Sequence, residues 1–341
     1  MKILIISPTQ SGIGGIAQHV QGLKIFLEKN CHNVEIMSSE NTLTIPIKGL
    51  KNPSFFISSF FKSKFKKNQD IVHAHNIPAA LGMKNASGKK ILSLHGIYSK
   101  QIIQLHGNYG KISKKFENDA LKWADVITVI SKEAFKHYTS LGYNVYQVPN
   151  AIDISSITME KDRRYKKQVI FAGRLSKEKG IDSLIEIGKK LPLDVHLLIL
   201  GSGPGESKII ELTKIKKNIL FLGYQPKENT LSLIRGSDIL IQPSLNEAIS
   251  STILESMACQ TAIIASNVGG NMELIENKHN GILIDPHDSG LFVKQIIFLF
   301  ENVEFRNSLI NHALKTVEKY DWNNVGNLYL KIYESILDKS K

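Results

Sequence analysis

The chain has 341 residues, 42% hydrophobic and 22% charged. That balance excludes a disordered or fibrous chain and allows two domains of ordinary size. Two cysteines, Cys31 and Cys259, are too few for a disulfide framework or a four-thiolate metal site, so a reduced, cytoplasmic setting is expected. Net charge is +12, and residues 1–150 hold 19 lysines, no arginine and 8 acids, a net of +11; an anionic partner is expected on that half.

Met1–Ser7 is apolar but short and is cut by Pro8, so it reads as a first buried strand rather than a signal-peptide core. No run approaches the ~18 apolar residues of a membrane helix. Buried strands are predicted at Lys2–Ser7, Val34–Met37, Ile71–Ala74, Lys90–Leu94, Val126–Ile130 and Val145–Val148. A second set follows at Gln168–Ala172, Val195–Leu200, Ile219–Phe221, Ile239–Gln242, Ala262–Ala265 and Gly281–Ile284. Helical patterns lie between them at Gly15–Lys29, Ser113–Trp123, Ile181–Lys190 and Gly290–Phe300. Continuous Val/Ile/Leu runs alternating with helices indicate parallel sheets covered on both faces. The pattern restarts near residue 168, which predicts two Rossmann-like α/β domains, 1–155 and 165–322, joined by a basic linker.

Between the second and third strands, Ile57, Phe60, Phe61 and Phe65 share a helical face with Lys62, Lys64, Lys66 and Lys67 interleaved. Two readings stand: an amphipathic helix packed on the sheet, or a peripheral surface for an anionic membrane.

The first strand leads into Gly12-Ile13-Gly14-Gly15-Ile16-Ala17, where glycines and a helix N-terminus could admit a phosphate. The same run matches a dinucleotide fingerprint, with Glu35 downstream as its acid; a plain glycine turn is equally open. Arg174 follows the strand Gln168–Ala172 and Lys179 comes five residues later. Ligands of doubly wound sheets bind at the carboxyl ends of strands, and two cations there suit a departing diphosphate. Leu200–Gly205, including Gly203, is a second strand-to-loop turn. After the strand Ile239–Gln242 comes Glu247, then a helix expected from Ser250, with Glu255 inside it. N–H groups around Ile249, Ser250 and Ser251 would make an anion site. The flanking carboxylates would accept hydrogen bonds from sugar hydroxyls. A glycosidase acid/base pair is the alternative use of two carboxylates, but it leaves the phosphate site without a purpose. His73 and His75 have the spacing of two metal ligands, yet no third or fourth ligand and no Asp-x-Asp pair accompanies them. No metal and no cofactor are therefore expected, with cations and helix dipoles in the metal's role.

In order along the chain, Gly14-Gly15, Asp70–His75, Leu94-His95-Gly96, Val148-Pro149-Asn150, Gly173-Arg174-Leu175 with Lys179-Gly180, Gly201–Pro204, Phe221–Tyr224 and the Glu247/Glu255 pair resemble glycosyltransferase family 4. The resemblance implies the GT-B fold, two Rossmann-like domains facing across a cleft, with the C-terminal stretch 323–341 completing the first. It implies a retaining transferase that moves a sugar from a UDP- or GDP-linked donor to a glycan or lipid-linked acceptor, with no nucleic acid as partner. Arg174 and Lys179 would hold the diphosphate, Glu255 the ribose, Glu247 the transferred sugar, and backbone near Tyr224 would frame the base. His95 would stand beside the reacting sugar, and Gly14 and Gly15 would cover the diphosphate from the opposite domain. The family's Glu-Gly-Phe-Gly start is here Glu247-Ala248-Ile249-Ser250, a departure that falls at the sugar pocket. The competing functions are a nucleotide-sugar epimerase or hydrolase of the same build, and a nicotinamide-dependent oxidoreductase.

Overall fold

The computed structural model describes residues 1–10, 15–45, 47, 51–99 and 110–338. It divides into two compact units, Met1–Ala151 with Trp322–Lys341, and Ile152–Asp321.

The first unit is built on β1 (Lys2–Ser7), β2 (Asn33–Ser38), β3 (Ile71–His75), β4 (Lys89–Leu94), β5 (Val126–Val129) and β6 (Val145–Gln147). All pair in parallel, in the order β2-β1-β3-β4-β5-β6. Alternation along β1 divides its side chains between two cores. Ile3 and Ile5 join Val20, Leu23 and Leu27 of the helix Gly15–Lys29, whereas Leu4 and Ile6 join Phe55, Ala79 and Met83 on the other face. The helix Trp322–Asp338 also belongs to the first face, through Trp322, Val325, Tyr329 and Tyr333. Its approach to the helix Gly15–Lys29 is close. A Cβ added at Gly22 would lie 2.2 Å from the Trp322 indole nitrogen, and one at Gly326 would lie 2.4 Å from the Phe26 ring.

The second unit carries β7 (Gln168–Ala172), β8 (His196–Leu200), β9 (Ile219–Gly223), β10 (Ile239–Gln242), β11 (Ala262–Ser266) and β12 (Ile282–Ile284). Their order is β12-β11-β10-β7-β8-β9, again all parallel. Continuous β-branched and leucine runs form these strands because both faces are covered; Val169, Ile199, Ile241 and Ile264 share one core with helix residues Leu184, Phe292 and Ile296. The strand order reverses between β7 and β10, and in the first unit between β1 and β3. Such reversals open a crevice at the carboxyl ends of the strands, where α/β sheets bind ligands.

All twelve predicted strands form, with ends displaced by no more than two residues. The helix expected at Ser113–Trp123 runs Gly110–Lys122, and those at Gly15–Lys29 and Ile181–Lys190 stand as predicted. Among the described residues, no helix is long and apolar enough to cross a membrane.

Candidate active site

At the β7/β10 reversal two loops meet backbone to backbone. Leu175 is driven into the core with no exposed surface, and its N–H donates to the Ser202 carbonyl at 2.9 Å. That anchor leaves its neighbour Arg174 exposed, with no side-chain hydrogen bond or ion pair among the described residues. A short 3-10 turn, Lys177–Lys179, ends at Gly180 with φ +70°. Only glycine suits that position, because an added Cβ would lie 1.8 Å from the Pro243 carbonyl oxygen. The Leu245 N–H closes the junction by donating to the Glu178 carbonyl at 2.8 Å.

This junction brings Lys179 to Glu247, which is 68 residues away in sequence. Lys179 Nζ donates to Glu247 Oε1 at 2.5 Å, and Glu247 is buried. The same oxygen accepts from Gln242 Nε2 at 2.6 Å and from Ser244 Oγ at 2.8 Å. Three donors thus crowd one carboxylate oxygen, and among the described residues Oε2 accepts no hydrogen bond. A desolvated carboxylate is costly unless paired, and here the pairing is one-sided. The partially buried lysine and Oε2 form a dipolar edge suited to a ligand bearing both an anionic oxygen and a hydroxyl.

Gln242 Nε2 also donates to Ser250 Oγ at 2.7 Å, and Ser250 caps the helix Ser251–Ala258 by accepting from the Ile253 N–H at 3.4 Å. The helix starts one residue after the expected Ser250. Ile249 and Ser250 are buried, and Ser251 is half-buried. Glu255 lies in this helix, also buried, with Lys227 Nζ 3.9 Å away. Burial raises its pKa, and Lys227 partly opposes the rise.

Gly203 packs on the neighbouring loop: an added Cβ would lie 2.5 Å from the Leu175 carbonyl oxygen. Backbone packing already accounts for this glycine. Tyr224 follows β9 and is 49% exposed. Gln242, Ser244 and Lys227 were not singled out in the sequence. The one signal for Gln242 was an amide side chain at the end of an otherwise aliphatic strand.

At the β1/β3 reversal of the first unit, Gly14 lies outside the described residues. Gly15 opens its helix, and a Cβ there would meet nothing within 4 Å. Glu35, the acid a dinucleotide site requires, is instead ion-paired with Lys66. His95 follows β4 and, half-buried itself, joins the buried imidazoles of His19, His73 and His75; ring centroids lie 4.3 Å apart for His73–His75 and 5.2 Å for His19–His95. His73 is no metal ligand: its Nδ1 is bonded to Tyr333 Oη at 2.7 Å and its Nε2 to Ser93 Oγ at 2.6 Å. Among the described residues no group of three or more metal-binding side chains is assembled. Burial holds these imidazoles neutral, with His73 lowered to about 3, His95 to about 4, and His19 and His75 well below the ordinary value. His19 gave no motif signal; the strand order alone brings it here.

The helix Lys51–Ser63 buries Phe55, Ser59 and Ser63. Ile57 and Phe61 are each 57% exposed, and Phe65, beyond the helix end, is 84% exposed. Leu43, Ile45 and Phe116 are exposed as well, and Phe116 meets Phe56 edge to face.

Comparison with known proteins gives two matches that follow one another along the chain. Residues 13–156 match the family described as Glycosyltransferase Family 4, and residues 158–316 that described as Glycosyl transferases group 1. The chain is similar to an uncharacterized glycosyltransferase of Methanocaldococcus jannaschii, 27% identical over 362 residues and covering 99% of both chains. It is also similar to a phosphatidyl-myo-inositol mannosyltransferase of Mycobacterium tuberculosis, 26% identical over 211 residues, 58% of this chain and 56% of that one. Among solved structures, sucrose-phosphate synthase from Thermosynechococcus elongatus superposes with a TM-score of 0.83 at 17% identity, covering 99% of each chain. Anabaena HepE in complex with UDP and glucose superposes at 0.75 with 18% identity, covering 98% of this chain and 100% of that one.

Proposed function

The chain belongs to the group 1, family 4 glycosyltransferases and has their GT-B fold, and from that premise we propose that it is a retaining, metal-independent hexosyltransferase using a UDP- or GDP-sugar. The carrying observation is the Lys179–Glu247 pair, held by Gln242 and Ser244, at the reversal of the second sheet. Arg174 and Lys179, with the helix N-terminus at Ile249–Ser251, bind the diphosphate. Their charge counts most as the sugar–phosphate bond breaks and the phosphate oxygen gains charge. Glu255 accepts from the ribose hydroxyls, with the backbone at Gly203 and Tyr224 beside the nucleotide. Glu247 Oε2 accepts from a hydroxyl of the transferred sugar, and His95 stands next to that sugar. The acceptor hydroxyl attacks C1 on the face from which the diphosphate leaves, and its proton passes to the departing phosphate oxygen. Complexes of HepE with UDP and with UDP-glucose support a uridine donor. The epimerase, hydrolase and nicotinamide readings find no support among the relatives.

For the acceptor we favour a lipid-linked or membrane-proximal glycan. The exposed apolar group of Ile57, Phe61 and Phe65, set among lysines on a unit with net basic charge, supports docking on an anionic surface. Likeness to a phosphatidyl-myo-inositol mannosyltransferase supports the same choice. A thermal-shift screen of UDP-, GDP- and ADP-sugars tests the donor: a ligand at 100 times its dissociation constant stabilises by about 2.7 kcal/mol. No shift with any of them would remove the proposal.

A further inference from the structure

His73 and His75 stand two residues apart on β3 and so project to one side of it. Their roles differ. Both nitrogens of His73 are engaged, by Tyr333 and Ser93, and its ring is stacked on His75 at 4.3 Å. His75 has one side-chain hydrogen bond among the described residues: its Nδ1 lies 3.2 Å from His95 Nε2. Its Nε2 is buried and has no hydrogen-bond partner among the described residues. Burial keeps both rings of this pair neutral, His75 under further pressure from His73, His95 and His19.

A neutral imidazole carries one N–H and one lone pair. With its proton on Nε2, His75 would bury a donor that nothing accepts. With its proton on Nδ1, the orphan is a lone pair, which native structures tolerate more readily than an orphan N–H. His75 Nδ1–H therefore donates to His95 Nε2. The accepting nitrogen of His95 has no proton, so its proton sits on Nδ1. The backbone of His95 is held as well. Its N–H donates to Asn76 Oδ1 at 3.0 Å, and the Asn76 N–H donates to the Ser93 carbonyl at 2.8 Å. Asn76 takes φ +63° to make both bonds, a conformation that a non-glycine residue adopts only when its surroundings hold it there.

We infer that His75 is a positioning residue that fixes His95 as its Nδ1–H tautomer, so that His95 acts on substrate as a hydrogen-bond donor through Nδ1 and not as a base through Nε2. Resting on the proposed placement of His95 beside the reacting sugar, this assigns the imidazole a part in orienting a sugar or phosphate oxygen. The C-terminal helix supports the device from behind, because its Tyr333 fixes His73 and His73 stacks on His75.

The test is long-range 15N–1H correlation on the full chain with 15N-labelled histidine, read together with steady-state kinetics. Wild type is expected to show His95 and His75 both protonated on Nδ1. In His75→Asn the side-chain amide occupies the place of Nδ1 and can still donate. That variant is expected to keep the His95 tautomer and to turn over within about threefold of wild type. His75→Phe fills the ring's space without a donor. It is expected to release His95 to the Nε2–H form and to lower kcat by roughly 10-fold or more at unchanged donor KM. Should His75→Phe fail to fold, the wild-type spectrum alone still decides the tautomer. A wild-type His95 protonated on Nε2 would overturn the inference, as would a His75→Phe enzyme with unaltered tautomer and turnover. Full activity in His95→Ala would leave the tautomer assignment standing and overturn the part given to His95 in the reaction.

Discussion

At the carboxyl edge of the second sheet stand an exposed arginine, a lysine bonded to a buried glutamate, and a second buried glutamate. At the same edge of the first sheet stand four imidazoles held neutral by burial and bonded to tyrosines, serine and one another. Both edges lie at a reversal of strand order, so topology alone does not distinguish them. Charge does. The second edge keeps net charges in partial desolvation, where they act most strongly on an anion. The imidazole group of the first carries no charge and can only direct neutral donors and acceptors. In the proposed function, two topologically equivalent places thus take different parts, the second edge binding an anion and the first orienting the sugar.

The largest expected effect breaks the charged edge. Arg174→Ala should lower turnover by roughly 100-fold or more, measured with saturating acceptor; wild-type turnover would remove Arg174 from leaving-group stabilisation. Next, the two glutamates should separate. Glu255→Ala should weaken plain nucleotide binding by about 10- to 100-fold, the loss of hydrogen bonds to a charged acceptor. Glu247→Ala should leave nucleotide binding nearly intact and impair transfer. Equal losses of nucleotide affinity in both, by calorimetry, would contradict the division.

The neutral edge should reveal itself in acid. His73 has a folded pKa of about 3, well below 6.5. The unfolded chain therefore binds more protons between those values, and stability is full above about 6.5 and declines as pH falls toward 3. The slope is up to about 1.4 kcal/mol per pH unit for each buried histidine. Urea unfolding followed by the Trp322 signal in a Trp123→Phe background should show this loss, and a flat profile from pH 7 to pH 4.5 would deny that the histidines stay neutral. The smallest effect concerns the exposed lysines. Lys64→Glu with Lys67→Glu should weaken co-sedimentation with anionic vesicles by about 1 kcal/mol per residue and leave transfer to a soluble acceptor unchanged; failure of wild type to bind anionic vesicles at low salt would point to a soluble acceptor.

The strands were legible because both faces of each sheet are covered, which forces continuous runs such as Ile3–Ile6 and Leu197–Leu200. Arg174, Lys179 and Glu247 were legible as residues that follow strand ends, and Glu255 as a residue of the helix after the third of them. Their relations were not. The Lys179–Glu247 bond depends on β7 and β10 being neighbours, which no local pattern states. Gln242 and Ser244 acquire a role only once Glu247 is placed above them. The pair His73/His75 read as a possible metal site because strand alternation puts both on one side. What excludes that reading is Tyr333, 260 residues on.

Calorimetric titration of UDP and GDP into the full chain in EDTA asks whether the second unit's cations bind a nucleoside diphosphate without a metal. One of the two nucleotides is expected to bind in EDTA, and Arg174→Ala with Lys179→Ala to abolish that binding or weaken it at least about 10-fold. Binding that appears only with a divalent cation, or that survives the double substitution unchanged, would contradict that expectation.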